Sequence, residues 1–144
     1  MKTKFLSVMA FVMLIFTSCS SDDGNTTGGG TTTNGFSWKE NGGALKTATV
    51  ATFSTQYKTF MVKDAANALV FEINLDGTSE ATYSIGSNNA FAYTAVNPYY
   101  VATGGNVVIT SNSAGKVSGT FTTTGTGGGV TAIEGTFTNV EVIP

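Results

Sequence analysis

The sequence predicts an all-β domain over residues 36–144, an antiparallel β-sandwich or small barrel of about 8–10 short strands. Three observations carry this. Apolar residues recur with period two, and no helical period extends beyond one turn. Clusters of Gly, Asn, Asp and Pro punctuate the chain about every 8–12 residues, as strand-joining turns do. The stretches between them are rich in Thr, Val and Phe, which suit a pleated, half-buried surface.

Taken in order, Phe36-Ser37-Trp38 alternates and Asn41-Gly42-Gly43 turns the chain. Leu45 to Phe53 reads as one strand and Tyr57 to Lys63 as the next, followed by a polar break from Asp64 to Asn67. Leu69, Phe71, Ile73 and Leu75 alternate with Val70, Glu72 and Asn74, the clearest half-buried strand, which Asp76-Gly77 ends. Ala81 to Ile85, Phe91 to Ala95 and Tyr99 to Thr103 are shorter candidates. Gly104-Gly105 reads as a turn before Asn106 to Thr110, with Val107 and Ile109 inward. Lys116 to Thr123 and Val130 to Ile143 close the chain around the glycine-rich run 125–129. Gly119-Thr120-Phe121-Thr122 recurs as Gly135-Thr136-Phe137-Thr138, the two arms of an expected hairpin with both phenylalanines inward. Beyond Phe137 the apolar residues fall at Val140 and Val142, a shift that predicts a β-bulge at Thr138-Asn139.

Ahead of the domain, Lys2 and Lys4 precede an apolar run from Phe5 to Phe16, and small residues lead to Cys19. A basic start, a short apolar core and a small-residue exit make residues 1–18 a secretory signal rather than a membrane span, which needs about 20 apolar residues. The segment around Cys19 resembles the lipobox of bacterial lipoproteins, whose cysteine is acylated and becomes the mature N-terminus. Ser20-Ser21-Asp22-Asp23 resembles the export tract of Bacteroidota surface lipoproteins. The resemblance implies a lipid anchor at Cys19 in the outer membrane, facing the cell exterior. Residues 19–35 then form the lipidated cysteine and a Ser/Thr/Gly tether, whose sixteen residues from Ser20 give a flexible reach of roughly 20–25 Å.

Composition narrows the chemistry. The formal net charge is −2, with nine acidic residues against seven lysines and no arginine, so neither a basic footprint for nucleic acid nor a bidentate phosphate clamp is available. Histidine is absent, which removes the usual general base and zinc ligand. The only cysteine is committed to the anchor, leaving no disulfide and no thiol nucleophile. No enzyme activity, cofactor or metal is expected.

The order of Asn41-Gly42, the run 81–85, Phe91-Ala92-Tyr93, the run 105–110, Val117-Ser118-Gly119-Thr120-Phe121 and the run 133–140 is similar to that of a family of uncharacterised Bacteroidota lipoproteins with a lipocalin-like β domain. The likeness implies a fold and offers no catalytic residues. Among the carboxylates, Glu72 and Asp76 would stand about 13 Å apart along a strand, too far for a retaining glycosidase pair, and nothing in the spacing brings Glu134 to them. A carboxylate-dependent glycoside hydrolase is therefore the least favoured reading. Asn74-Leu75-Asp76-Gly77 carries part of a calcium-loop pattern but lacks its closing glutamate and is read as a turn. The aromatic residues Trp38, Tyr83, Phe91, Tyr93, Tyr99 and Tyr100 are core or ligand platforms, with Trp38, Tyr93, Tyr99 and Tyr100 the binding candidates. In Asn97-Pro98-Tyr99-Tyr100 the proline-led turn is expected to leave one tyrosine outside. Two binding modes follow: a β face bearing Thr120, Thr122, Thr136 and Thr138 for a glycan or another surface protein, or an interior pocket for a small apolar ligand. A domain this small tends to fill its interior with side chains, which favours the face.

Overall fold

The computed structural model describes residues 35–144, whose regular structure is entirely strand. In chain order the strands are β1 (Gly35–Glu40), β2 (Lys46–Ala48), β3 (Val50–Ser54), β4 (Thr59–Lys63), β5 (Leu69–Asn74), β6 (Ala81–Ser84), β7 (Ala90–Tyr93), β8 (Tyr100–Ser113), β9 (Lys116–Gly127) and β10 (Val130–Ile143). The signal, Cys19 and the tether up to residue 34 lie outside the described residues.

The three long strands β8, β9 and β10 form a continuous antiparallel meander. Its two-residue turns, Ala114-Gly115 and Gly128-Gly129, have φ of 51° and 71°, and of 56° and 79°. Positive φ at both central positions matches the right-handed twist of the strands they join. Each outer edge of the meander is shared by two short strands placed end to end. β1 pairs with Ile133 to Thr138 of β10, and β3 takes over at Glu141 to Ile143. On β8, β7 pairs at Tyr100 and Val101 while β6 pairs from Asn106 to Ile109. β4 and β5 bridge β3 to β7, so β10-β3-β4-β5-β7-β8-β9 closes into a seven-stranded barrel, of the two predicted architectures the closed one. Closure removes sheet edges from the ring.

Several elements differ from expectation for reasons of topology. The β3–β10 ladder is parallel, the one exception among the described strands to the predicted antiparallel order; β3 follows β1 along the same edge of β10 but runs in the opposite direction to it. The predicted strand from Leu45 to Phe53 divides at Thr49, since its first part pairs with β1 and its second with β4 and β10. Gly104-Gly105 does not turn the chain; it lies within β8 at a register shift, a bulge that bends the strand around the barrel. The predicted strands on either side of it are therefore one. Asp76-Gly77 does not form a hairpin either. β5 is flanked by β4 and β7, so the chain after Asp76 crosses to β8 as β6 before returning.

The four-residue echo has a structural cause. Gly119 pairs with Phe137, Thr120 with Thr136 and Phe121 with Gly135, so Gly-Thr-Phe is self-complementary when two copies run antiparallel. Each inward phenylalanine ring lies over the glycine of the other strand, where a Cβ would strike both the ring and a neighbouring backbone carbonyl. The predicted bulge is present: Phe137 pairs with Gly119 and Val140 with Val117, so β10 carries one residue more than β9 there. Asn139 absorbs it at φ 50°, and its N–H donates to Ser118 Oγ at 2.9 Å.

Inward alternation from every ring strand builds one aromatic column. Phe53 stacks on Phe60 (centroids 4.3 Å), Phe60 meets Phe137 (4.8 Å), and Phe36 stacks on Phe121 (5.0 Å). Phe71 contacts Phe36 (5.1 Å), Trp38 (5.0 Å) and Tyr93 (4.7 Å) towards the other end. Offset and edge-to-face rings of this kind add to the energy of burial. The buried hydroxyl of Thr123 bonds Tyr100 Oη (3.1 Å) and donates to the Ile133 carbonyl (3.2 Å). No buried side-chain nitrogen or oxygen among the described residues lacks a partner. The barrel is thus occupied by its own side chains.

Candidate binding face

With the interior occupied, the surface open to solvent is the outer one, where strand alternation dictates what is presented. On β9, Phe121 points inward and Thr120 and Thr122 outward; on β10, Phe137 points inward and Thr136 outward. On β1, Ser37 lies between the buried Phe36 and Trp38. Ladder register then aligns Thr47, Ser37, Thr136 and Thr120 across four adjacent strands, β2, β1, β10 and β9. The hydroxyls of Ser37 and Thr136 are 2.9 Å apart and bonded. Threonine serves both demands here, because its branched Cβ suits a strand and its hydroxyl remains available as donor and acceptor.

Thr47, Ser37 and Thr136 of this row, with Thr49 and Thr138, line an open groove of about 580 Å³. A second groove of about 390 Å³ shares Ser37 and Thr136 and runs on past Thr120 and Thr122 to Lys39, Glu134 and Leu45. Together they make a trough along β1 and β10. Neutral hydroxyls line its first part and a charged pair its second.

A polar cluster fixes the hairpin that forms one wall of the trough. The turn at Asn41-Gly42 closes with a bond from Gly43 N to the Glu40 carbonyl (2.8 Å). Asn41 Oδ1 accepts from Thr131 N (2.9 Å) and Ala132 N (3.1 Å), tying this turn to the start of β10. Glu40 Oε1 accepts from Lys46 Nζ (2.6 Å), Tyr93 Oη (2.5 Å) and Trp38 Nε1 (3.2 Å), joining β1, β2 and β7 through one atom. Partial burial is the largest single influence on this carboxyl and pushes its pKa up. The bonds from Lys46, Tyr93 and Trp38, with the charge of Lys46, together outweigh it and hold the pKa below the ordinary 4.5. Lys46 is raised by its bond to Glu40, and Tyr93 by burial and then by Glu40.

A carboxylate with a depressed pKa contributes stability that is present above its unfolded value and lost as pH falls through the folded one. Glu40→Gln is therefore expected to cost about 1–2 kcal/mol at pH 7 and much less well below pH 4.5. Urea unfolding at a series of pH values checks this: the wild-type and variant stabilities should converge on acidification.

The aromatic candidates separate sharply. Of the binding candidates, Trp38, Tyr93 and Tyr100 are 5%, 2% and 0% exposed and belong to the core, so none of them stands on the outer face. Trp38 and Tyr93 pack against Phe71, and Tyr100 lies edge-on to Phe91; their polar tips are spent on Glu40 and Thr123. Tyr99 is 64% exposed, the outward tyrosine of the Pro98 turn, and faces away from its buried neighbour. Tyr83 and Phe91 belong to the core. Glu72, Asp76 and Glu134 are all exposed, on β5, just after it and on β10. Glu72 accepts from Asn74 Nδ2 (3.1 Å), and the Asp76 carbonyl accepts from Lys58 Nζ (2.9 Å).

Sequence reasoning identified the threonines of β9 and β10 but missed Ser37, Thr47 and Thr49, which complete the groove. The signal was available: Ser37 alternates with two large apolar residues, and Thr47 and Thr49 flank Ala48, which is 5% exposed. The Glu40–Lys46 bridge was also legible in principle, because a turn at Asn41-Gly42 folds the two back towards each other. Comparison with protein-family models, curated proteins and solved structures finds no match to this chain.

Proposed function

We propose that this protein is a non-catalytic, lipid-anchored surface lipoprotein whose barrel binds uncharged glycan along the β1–β10 trough. One observation carries the reading: an open groove of about 580 Å³ bearing five hydroxyl side chains lies outside a barrel whose inside is taken up by stacked rings. Sugar hydroxyls both donate and accept, and Ser37, Thr47, Thr49, Thr136 and Thr138 offer complementary groups without a charge to desolvate. A carrier of a small apolar ligand would have to displace Phe36, Phe71 or Phe121, each at most 1% exposed.

Thr136→Val keeps the branched shape and removes the hydroxyl at the centre of the trough. It is expected to weaken glycan binding about tenfold in calorimetric titration of the purified protein, with little change in thermal stability. Unchanged affinity in this variant and in Ser37→Ala would contradict the trough as the site.

The anchor rests on Lys2, Lys4, the apolar run and Cys19 with its Ser20–Asp23 tract, and on the likeness to Bacteroidota lipoproteins. More than one acyl chain is needed for stable membrane attachment, which N-terminal lipidation of a cysteine supplies. Cys19→Ser should move the protein from the membrane fraction to the soluble fraction. Persistence in the membrane fraction would refute the anchor.

A further inference from the structure

We propose that the Leu45 end of the trough receives the N-acyl group of an amino sugar, an inference that rests on the glycan reading above. Leu45 precedes β2 and is 63% exposed, a large apolar side chain at the edge of a groove that also takes in Lys39, Glu134 and the hydroxyl residues Ser37, Thr120, Thr122 and Thr136. Lys39 and Glu134 lie directly opposite one another in the β1–β10 register, with their side chains on the same outer side, and Thr122 is the next residue across on β9.

An acylamino group makes three demands at once: an apolar surface for its methyl, a donor for its carbonyl and an acceptor for its N–H. The lysine ammonium only donates and the ionised carboxylate only accepts, so each can serve one side of the amide. Leu45 supplies the apolar contact. A plain hydroxylated sugar leaves the leucine uncovered. A deacylated, protonated amine meets Glu134 but is opposed by Lys39 and again leaves Leu45 in water. The hydroxyl row of Ser37, Thr136 and Thr120 then holds the ring positions common to all three sugars.

The test is calorimetric titration of the purified protein with three oligosaccharides of matched length and linkage: β-1,4-linked N-acetylglucosamine, its deacetylated form and glucose. The N-acetylated oligomer is expected to bind about tenfold or more tightly than the glucose oligomer. Leu45→Ser is expected to bring the two near parity by weakening the N-acetylated oligomer far more than the glucose oligomer. Because Leu45 is exposed, its replacement should leave the melting temperature in place. Equal affinity for the acetylated and glucose oligomers would overturn the acyl subsite and leave the trough reading standing. A preference that survives in Leu45→Ser and in Lys39→Met would do the same. Failure of all three to bind would overturn both readings.

Discussion

Replacing Gly135 with valine is expected to destabilise the fold by about 3 kcal/mol or more. In its strand the Cβ of any larger residue would point inward, into the ring of Phe121 and against the carbonyl of Ser37. The ring can shift at some cost in packing, but the carbonyl is part of the β1–β10 ladder and cannot. Overpacked cores typically lose about 1–3 kcal/mol, and an immovable backbone contact places this substitution at or beyond the upper end. Gly119→Val should match it, because Gly119 sits under Phe137 and against the Val108 carbonyl in the same way. Chemical unfolding of the two variants should give losses of about 3 kcal/mol or more. Gly86 is the natural control, since nothing lies within 4 Å of a Cβ there and no left-handed φ resists substitution. Losses below about 1 kcal/mol at both Gly119 and Gly135 would mean that the interlocked Gly-Thr-Phe pairs do not set the strand spacing.

Phe71→Ala is expected to have the largest effect among the core residues, about 3–5 kcal/mol, from lost transfer energy and the cavity left behind. Its ring touches those of Phe36, Trp38, Phe91, Tyr93 and Phe121, so its loss leaves a void walled by side chains that are themselves held in place. Collapse into such a space is limited, which favours the high end of the range. Phe71→Leu should cost appreciably less, and denaturant midpoints of the two variants decide the point. A domain of this size has roughly 5–15 kcal/mol of stability in total, so the alanine variant should melt well below the wild type.

What could be read in advance follows the physics of each signal. Strand alternation is local, so the inward Phe121, Phe137, Val107 and Ile109, and the outward threonines, were legible from period two alone. The bulge at Thr138-Asn139 was legible because a one-residue slip changes which face the later valines occupy. Ladder partners are not local. Nothing between residues 50 and 54 announces a parallel pairing with residues 141–143, and nothing in Gly104-Gly105 distinguishes a turn from a bulge until β9 lies alongside. The binding candidates failed for a related reason. Trp38 and Tyr93 look like platform aromatics, but Glu40 supplies a polar partner for both at the rim, and a partnered indole or phenol is content in the core. Only at the Pro98 turn did local sequence point to one exposed tyrosine, and strand alternation makes it Tyr99 rather than Tyr100.

The most direct test of glycan recognition on the outside of a filled barrel is an amide chemical-shift titration of the isotope-labelled protein with the β-1,4-linked N-acetylglucosamine oligomer. The resonances of Ser37, Thr47, Thr136 and Thr138 should move with saturation, while those of Phe71, Tyr93 and Phe121 stay in place. Shifts concentrated on Phe71, Tyr93 and Phe121, with the trough residues silent, would contradict outside recognition and place the ligand inside the barrel.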